Sequence, residues 1–243
     1  PVANVNDSPS GTVLITGTAR EGEILTASNT LADEDGMGTV TYTWSTGATG
    51  DSITLGQSDV GTTISVVAAY QDAFGQNESV TSTATNPVAN VNDAPTGEVL
   101  ITGTAREGEV LNASNTLADE DGMGAVTYTW STGATGDSIT LAQSDVGTTV
   151  TVTGAYTDGQ GTAESVTSAA TSVVANGNNA PTGDVTISGT PTEDQVLTAN
   201  NTLADADGMG TVTYTWSTGA TGTTITLGQS DVGTQITVTA SYT

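Results

Sequence analysis

Cysteine, histidine and lysine are absent from the 243 residues, phenylalanine occurs once, and the only cationic side chains are Arg20 and Arg106. Each absence removes something. Without cysteine there are no disulfides, so stability has to come from packing, hydrogen bonds or metal. Without histidine, cysteine or lysine only carboxylates and hydroxyls remain for catalysis. A carboxylate pair of the glycosidase kind is conceivable, but acids that recur with every repeat do not suggest a cleft, and the expectation is that this is not an enzyme. Two cations against 27 acids, a net charge of −25, exclude nucleic acid, whose affinity rests on Lys and Arg neutralising phosphates. The same charge is repelled by anionic membrane surfaces. No run approaches 18 apolar residues, so no membrane insertion is expected.

What the chain does have is a period. Trp44, Trp130 and Trp216 stand 86 residues apart, as do Pro9, Pro95 and Pro181. Residues 1–86 and 87–172 differ at 18 positions, leaving 68 of 86 identical, so the chain is a tandem array of one unit. The expected divisions are 1–8 as the tail and linker of a preceding repeat, 9–92 as repeat 1, 95–178 as repeat 2, and 181–243 as repeat 3 lacking its last strand. Leu, Ile, Val and Phe make up only 45 of the 243 residues, a composition that leans toward disorder.

Local pattern argues for order instead. Val40, Tyr42 and Trp44 alternate with Thr41, Thr43 and Ser45. Ile64, Val66, Ala68 and Tyr70 alternate likewise, and Ile53 and Leu55 follow the same period of two. Shorter runs rich in Val, Ile and Thr at 12–16, 24–27 and 79–84 are bounded by Gly, Asn or Asp. The reading is six or seven short strands per unit and an all-β fold: a tandem array of immunoglobulin-like β-sandwich domains joined end to end by short linkers. Trp44 is expected in the core on the third strand. The Asp59-Val-Gly61 corner leads into the strand that follows, although Thr63 stands where a corner tyrosine would fall.

In such a sandwich the loops alternate between two ends, and the acids fall at those ends. Asp33, Glu34, Asp35 and Asp72 lie at one; Glu21, Glu23 and Asp59 lie at the other. Stacking consecutive units would surround the linker motif ANVNDAP at 89–95 with carboxylates from both sides. Gathering carboxylates without a cation is repulsive and desolvating. Ca²⁺ removes both objections, because it accepts six to eight oxygens from carboxylates, amides and backbone in flexible geometry. The candidate ligands in the first copy are Asn4, Asn6, Asp7, Glu21, Asp33, Asp35, Asp59 and Asp72. The second copy supplies Asn90, Asn92, Asp93, Glu107, Asp119, Asp121, Asp145 and Asp158. The third supplies Asn176, Asn178, Asn179, Asp205 and Asp207. At the second linker Asn179 replaces Asp93 and Ala206 replaces Glu120, so weaker calcium binding is expected there.

The NVNDAP motif, with Glu21 on the first loop and Asp119-Glu-Asp121 on the next unit, resembles the calcium-binding linkers of cadherin repeats. The whole unit is similar to the tandem immunoglobulin-like and cadherin-like repeats of giant secreted bacterial adhesins of the RTX type. That resemblance implies an extracellular spacer at a bacterial cell surface, one that holds a distal binding domain outward and is rigid with Ca²⁺. The partners expected are neighbouring repeats, with homotypic strand donation or lateral assembly as further options. The alternative reading is repeats that bind a glycan, ice or a cell surface directly, or that assemble into a layer or filament.

Overall fold

The computed structural model describes residues 3–243; Pro1 and Val2, which open the expected tail of a preceding repeat, lie outside the described residues. The chain is all-β, with one short 3₁₀ turn in each repeat. Repeat 1 carries β1 (Val13–Thr16), β2 (Ile24–Asn29), β3 (Thr41–Trp44), β4 (Ser52–Thr54), β5 (Val66–Gln71) and β6 (Asn77–Thr81). Repeat 2 carries β7 (Val99–Thr102), β8 (Val110–Asn115), β9 (Thr127–Trp130), β10 (Ser138–Thr140), β11 (Val152–Thr157) and β12 (Ala163–Thr167). Repeat 3 carries β13 (Val185–Ser188), β14 (Val196–Asn201), β15 (Thr213–Trp216), β16 (Thr224–Thr226) and β17 (Val238–Ser241). The chain divides into two compact units. The first comprises residues up to Glu98 together with Thr116–Val126 and Gly154–Val166, and the second comprises Val99–Asn115, Thr127–Thr153 and Thr167–Thr243.

In the first unit β1-β2-β4 form one antiparallel sheet and β3-β5-β6 another. The alternation read in the sequence is the burial pattern: Ile64, Val66, Ala68 and Tyr70 are buried, as are Ile53 and Leu55, and all but Tyr70 meet Val13, Leu25, Trp44 and Val88 in one core. Trp44 is 2% exposed and its Nε1 donates to the Gly50 carbonyl at 2.9 Å, so the one polar atom of the largest core side chain is satisfied. In the second unit β7-β8-β10 and β13-β14-β16 are each ordered like β1-β2-β4, and Leu197, Ala199, Tyr214, Trp216, Ile225 and Leu227 form a core cluster.

The last strand of repeat 1 differs from its expected span. It begins at Asn77 and ends at Thr81, where 79–84 was expected. Beyond Thr81, hydroxyls take over the ladder: Ser82 Oγ accepts from Val66 N–H and Thr85 Oγ1 from Ile64 N–H. The chain then runs parallel to its own first loop. Val88 N–H bonds the Thr62 carbonyl, Ala89 N–H the Ala19 carbonyl, and Glu21 N–H the Ala89 carbonyl. This segment delivers the linker to Glu21.

At the other end of the repeat, Gly38 N–H donates to the Gln71 carbonyl, and a Cβ at Gly38 would lie 2.5 Å from that oxygen. Only glycine lets the acidic loop 33–38 approach the end of β5 so closely. Tyr70 on β5 then bonds Asp33 Oδ2 through its hydroxyl at 2.5 Å. Among the described residues no helix is long and apolar enough to cross a membrane.

Candidate metal centre

The linker at 90–95 is tied at both ends by backbone bonds, to the first loop of repeat 1 through Ala89 and to the acidic loop of repeat 2 through Thr96, which exchanges N–H···O bonds with Ala118. Between the ties, two linker N–H groups reach carboxylates. Val91 donates to Glu21 Oε2 at 3.2 Å, and Asp93 donates to Asp121 Oδ2 at 2.8 Å. Oxygens of Glu21, Asp93 and Asp121 lie within 4.8 Å of one another, and Asp121 is 4% exposed. All three belong to the first unit. Unit negative charges at this separation repel by roughly 3 kcal/mol per pair at the effective dielectric of a protein surface.

The uncharged groups around them sharpen the chemistry. Gln57, on the 3₁₀ turn Gln57–Asp59, donates through Nε2 to Asp121 Oδ1 at 3.0 Å, while its Oε1 is buried without a partner. Asn90 Oδ1 and Asp93 Oδ2 are likewise buried and unpartnered. Buried polar atoms are almost always satisfied. Three buried oxygens left without a donor beside three carboxylates fit a hard cation, and Ca²⁺, with its tolerance of carboxylate and amide oxygens, suits the set.

The acidic loops are organised before any ligand arrives. Asp33 Oδ1 accepts from Asp35 N–H at 2.9 Å, and in the next repeat Asp119 Oδ1 accepts from Asp121 N–H while its Oδ2 accepts from the Tyr156 hydroxyl at 2.5 Å. Burial, then the bond to the aspartate, pushes the Tyr70 and Tyr156 hydroxyls well above the usual tyrosine value. Asp72 and Asp158 each use Oδ1 to accept two loop N–H groups, from Phe74 and Gln76 and from Gln160 and Thr162. Their Oδ2 atoms are buried and unpartnered. Asp7 N–H bonds Asp35 Oδ2 at 2.8 Å, repeating the Asp93–Asp121 contact, and Asn4 is exposed.

Other candidate residues stand apart. Asp59 Oδ2 accepts from Gly56 N–H, and Asp145 Oδ2 from Ala142 N–H, so both carboxylates are folded back onto their own 3₁₀ turns. Asn6 and Asn92 donate to Glu78 and Glu164, at 2.7 and 2.8 Å. Sequence reasoning missed those two glutamates, which lie on strands, and missed Gln57. The signal for Gln57 was present: Gln-Ser-Asp recurs at 57–59, 143–145 and 229–231.

The second linker lies in the second unit and is differently made. Gly177 N–H donates to Glu107 Oε2 at 3.2 Å and Asn179 N–H to Asp207 Oδ2 at 2.6 Å, reproducing the backbone pattern of the first. The Asn179 side chain, however, donates through Nδ2 to Glu107 Oε1 at 2.7 Å. The Gln143 amide lies against the same carboxylate: in one orientation its Nε2 donates to Asn176 Oδ1 at 3.4 Å and its Oε1 accepts from Asn179 Nδ2 at 3.3 Å, and in the swapped orientation, assigned because it satisfies both Gln143 and Glu107, its Nε2 donates to the two Glu107 oxygens at 2.6 and 3.0 Å. Asn178 Nδ2 bonds the Asn179 carbonyl, and Asn176 accompanies Asp207. Asp207 is exposed, and the Asn179 backbone N–H, then the Asn176 side chain, hold its carboxyl below the usual range. Asp205 accepts from Asp207 N–H and from the Tyr242 hydroxyl, whose pKa that bond and then burial push up to about 12.

No family model matches the chain, and no curated protein matches it. Among solved structures, a tetra-tandem repeat in the extending region of a large adhesion protein aligns over 96% of this chain and 66% of its own, at 21% identity and a TM-score of 0.26. The chain spans about two thirds of that neighbour's length, and a likeness at that score carries no argument about this one. The all-β tandem architecture rests on the strands themselves.

Proposed function

We propose that these repeats are a structural spacer of a large extracellular bacterial adhesin, and that Ca²⁺ stiffens their linkers. The observation that carries this reading is the first linker, where the carboxylates of Glu21, Asp93 and Asp121 face one another and where Asp93 Oδ2 and two amide oxygens, of Gln57 and Asn90, are buried without a donor. Glu21, Asp93 and Asp121 would hold the ion, with Gln57 and Asn90 as neutral ligands. Bound there, the ion supplies the positive charge that the chain itself lacks. Near-identical copies suit a mechanical role, since most of the end carboxylates, such as Glu21, Glu107 and Glu193, recur from unit to unit rather than forming one dedicated pocket. Among the described residues, backbone bonds tie the linker only at Ala89 and Thr96, and the ion would join the carboxylates between those ties. The affinity expected is roughly 10⁻⁴ to 10⁻³ M, the range of extracellular calcium modules.

Calcium titration of the full chain by calorimetry, paired with small-angle scattering in calcium and in chelator, tests the proposal. Saturable heat in that range and a larger radius of gyration with calcium are expected. No heat, with scattering curves that superimpose, would overturn it.

A further inference from the structure

We infer that the second linker closes without an ion, through an amide clamp in which the Asn179 side chain supplies the positive end that a cation supplies at the first. The inference rests on the calcium reading only for the first linker; the clamp itself stands on contacts among Glu107, Gln143, Gly177 and Asn179.

Asp93 and Asn179 occupy the same place in successive repeats, and their backbone N–H groups make the same bond, to Asp121 and to Asp207. The side chains differ by one atom, an acceptor oxygen against an amide nitrogen that donates. At the first linker that change leaves Asp93 Oδ2 buried and unpartnered, facing Glu21. At the second it places Nδ2 at 2.7 Å from Glu107 Oε1. Glu107 thereby collects donors from three residues: Asn179 Nδ2, Gln143 Nε2 and Gly177 N–H. A carboxylate so surrounded has its charge stabilised by hydrogen bonds and does not require a counter-ion.

One further substitution and one recurring glutamine fit the clamp. Gly177 replaces Val91, and a Cβ at Gly177 would lie 3.0 Å from the Glu107 carbonyl oxygen, so glycine allows the linker to sit against the loop that carries Glu107. The glutamine on the 3₁₀ turn also takes two positions. Gln229 pairs with Glu193, through an amide nitrogen 3.0 and 3.2 Å from its oxygens, as Gln143 pairs with Glu107. Gln57 instead bonds Asp121 and keeps its oxygen free. The glutamine donates to its own repeat's glutamate at the second linker and leaves an oxygen free at the first.

Amide hydrogen exchange on the full chain tests this directly, because 89–95 and 175–181 differ in sequence and give distinguishable peptides. With calcium at ten times its dissociation constant, chelation should speed exchange at Val91 and Asp93 about tenfold and leave Gly177 and Asn179 unchanged. Asn179→Asp should make Gly177 and Asp207's partner at position 179 calcium-dependent, and Asp93→Asn should make the first linker indifferent to chelator. Chelator-sensitive exchange at Gly177 and Asn179 in the natural chain, or an Asn179→Asp variant that ignores calcium while Val91 responds, overturns the clamp. Protection at all four positions that ignores calcium supports the clamp and overturns the calcium reading of the first linker.

Discussion

The linkers ANVNDAP and ANGNNAP differ at two of seven positions, yet their interiors differ in kind. Around Asp93, side-chain oxygens of Gln57, Asn90 and Asp93 are buried without a donor; around Asn179 the same backbone bonds enclose a carboxylate that accepts from amides. An array need not be uniform. Replacing one oxygen by an N–H group converts a site that calls for a cation into one complete by itself, without moving the strands that frame it.

The largest expected effect separates Glu21 from Glu107. Glu21→Gln should weaken calcium binding by the full chain roughly a hundredfold, since it removes one of three charged ligands and turns one carboxylate oxygen into an amide nitrogen that cannot coordinate the ion. Glu107→Gln should leave the calorimetric affinity within about twofold. The glutamines give a smaller version: Gln57→Ala should lower calcium affinity about tenfold, through loss of both the free oxygen and the bond that orients Asp121. Gln143→Ala should leave that affinity unchanged while speeding exchange at Gly177. Equal effects at the two positions would erase the contrast.

The tyrosines extend the comparison to pH. Tyr70, Tyr156 and Tyr242 have hydroxyl pKa values raised by folding, so the neutral form is favoured in the native state. Their contribution to stability is complete below the unfolded value of about 10 and is lost as pH rises through the folded values. Phenolate absorbance should therefore show Tyr242 ionising near pH 12 and Tyr70 and Tyr156 later. Asp207 runs the other way. Its carboxyl is lowered, so its contribution is present above the unfolded value of about 3.9 and is lost as pH falls through the folded one. Acid should thus loosen the N–H of Asn179, as read by exchange.

The smallest effect concerns the loop before β14. Gly22 and Gly108 have φ of +77° and +80°, and Asp194 holds the same turn at +65°. Asp194→Gly should relieve the left-handed strain but loosen the unfolded chain, a net gain of about 0.5 kcal/mol read as a slightly higher Tm.

Much of this architecture was legible in the letters. Alternation at Ile64, Val66, Ala68 and Tyr70 marked a half-buried strand because side chains on a pleated strand face opposite sides every second residue. Gly, Asn and Asp marked the turns, and the recurrence of acids at 33, 35 and 119, 121 placed them on loops. The last strand was less legible, because Ser82 and Thr85 continue its bonding with hydroxyls that look like ordinary strand residues in a Thr-rich chain.

By itself, then, the sequence determined the period, the strands and the crowding of oxygen-bearing side chains at the ends of each unit, since these follow from local alternation and from repetition at a fixed interval. Only the tertiary structure decided which oxygens are left without a donor. Val91 finds Glu21, Gln57 finds Asp121 and Asn179 finds Glu107 across 70, 64 and 72 residues of chain. Such pairings depend on how loops from distant strands are set against one another, and no local pattern encodes that.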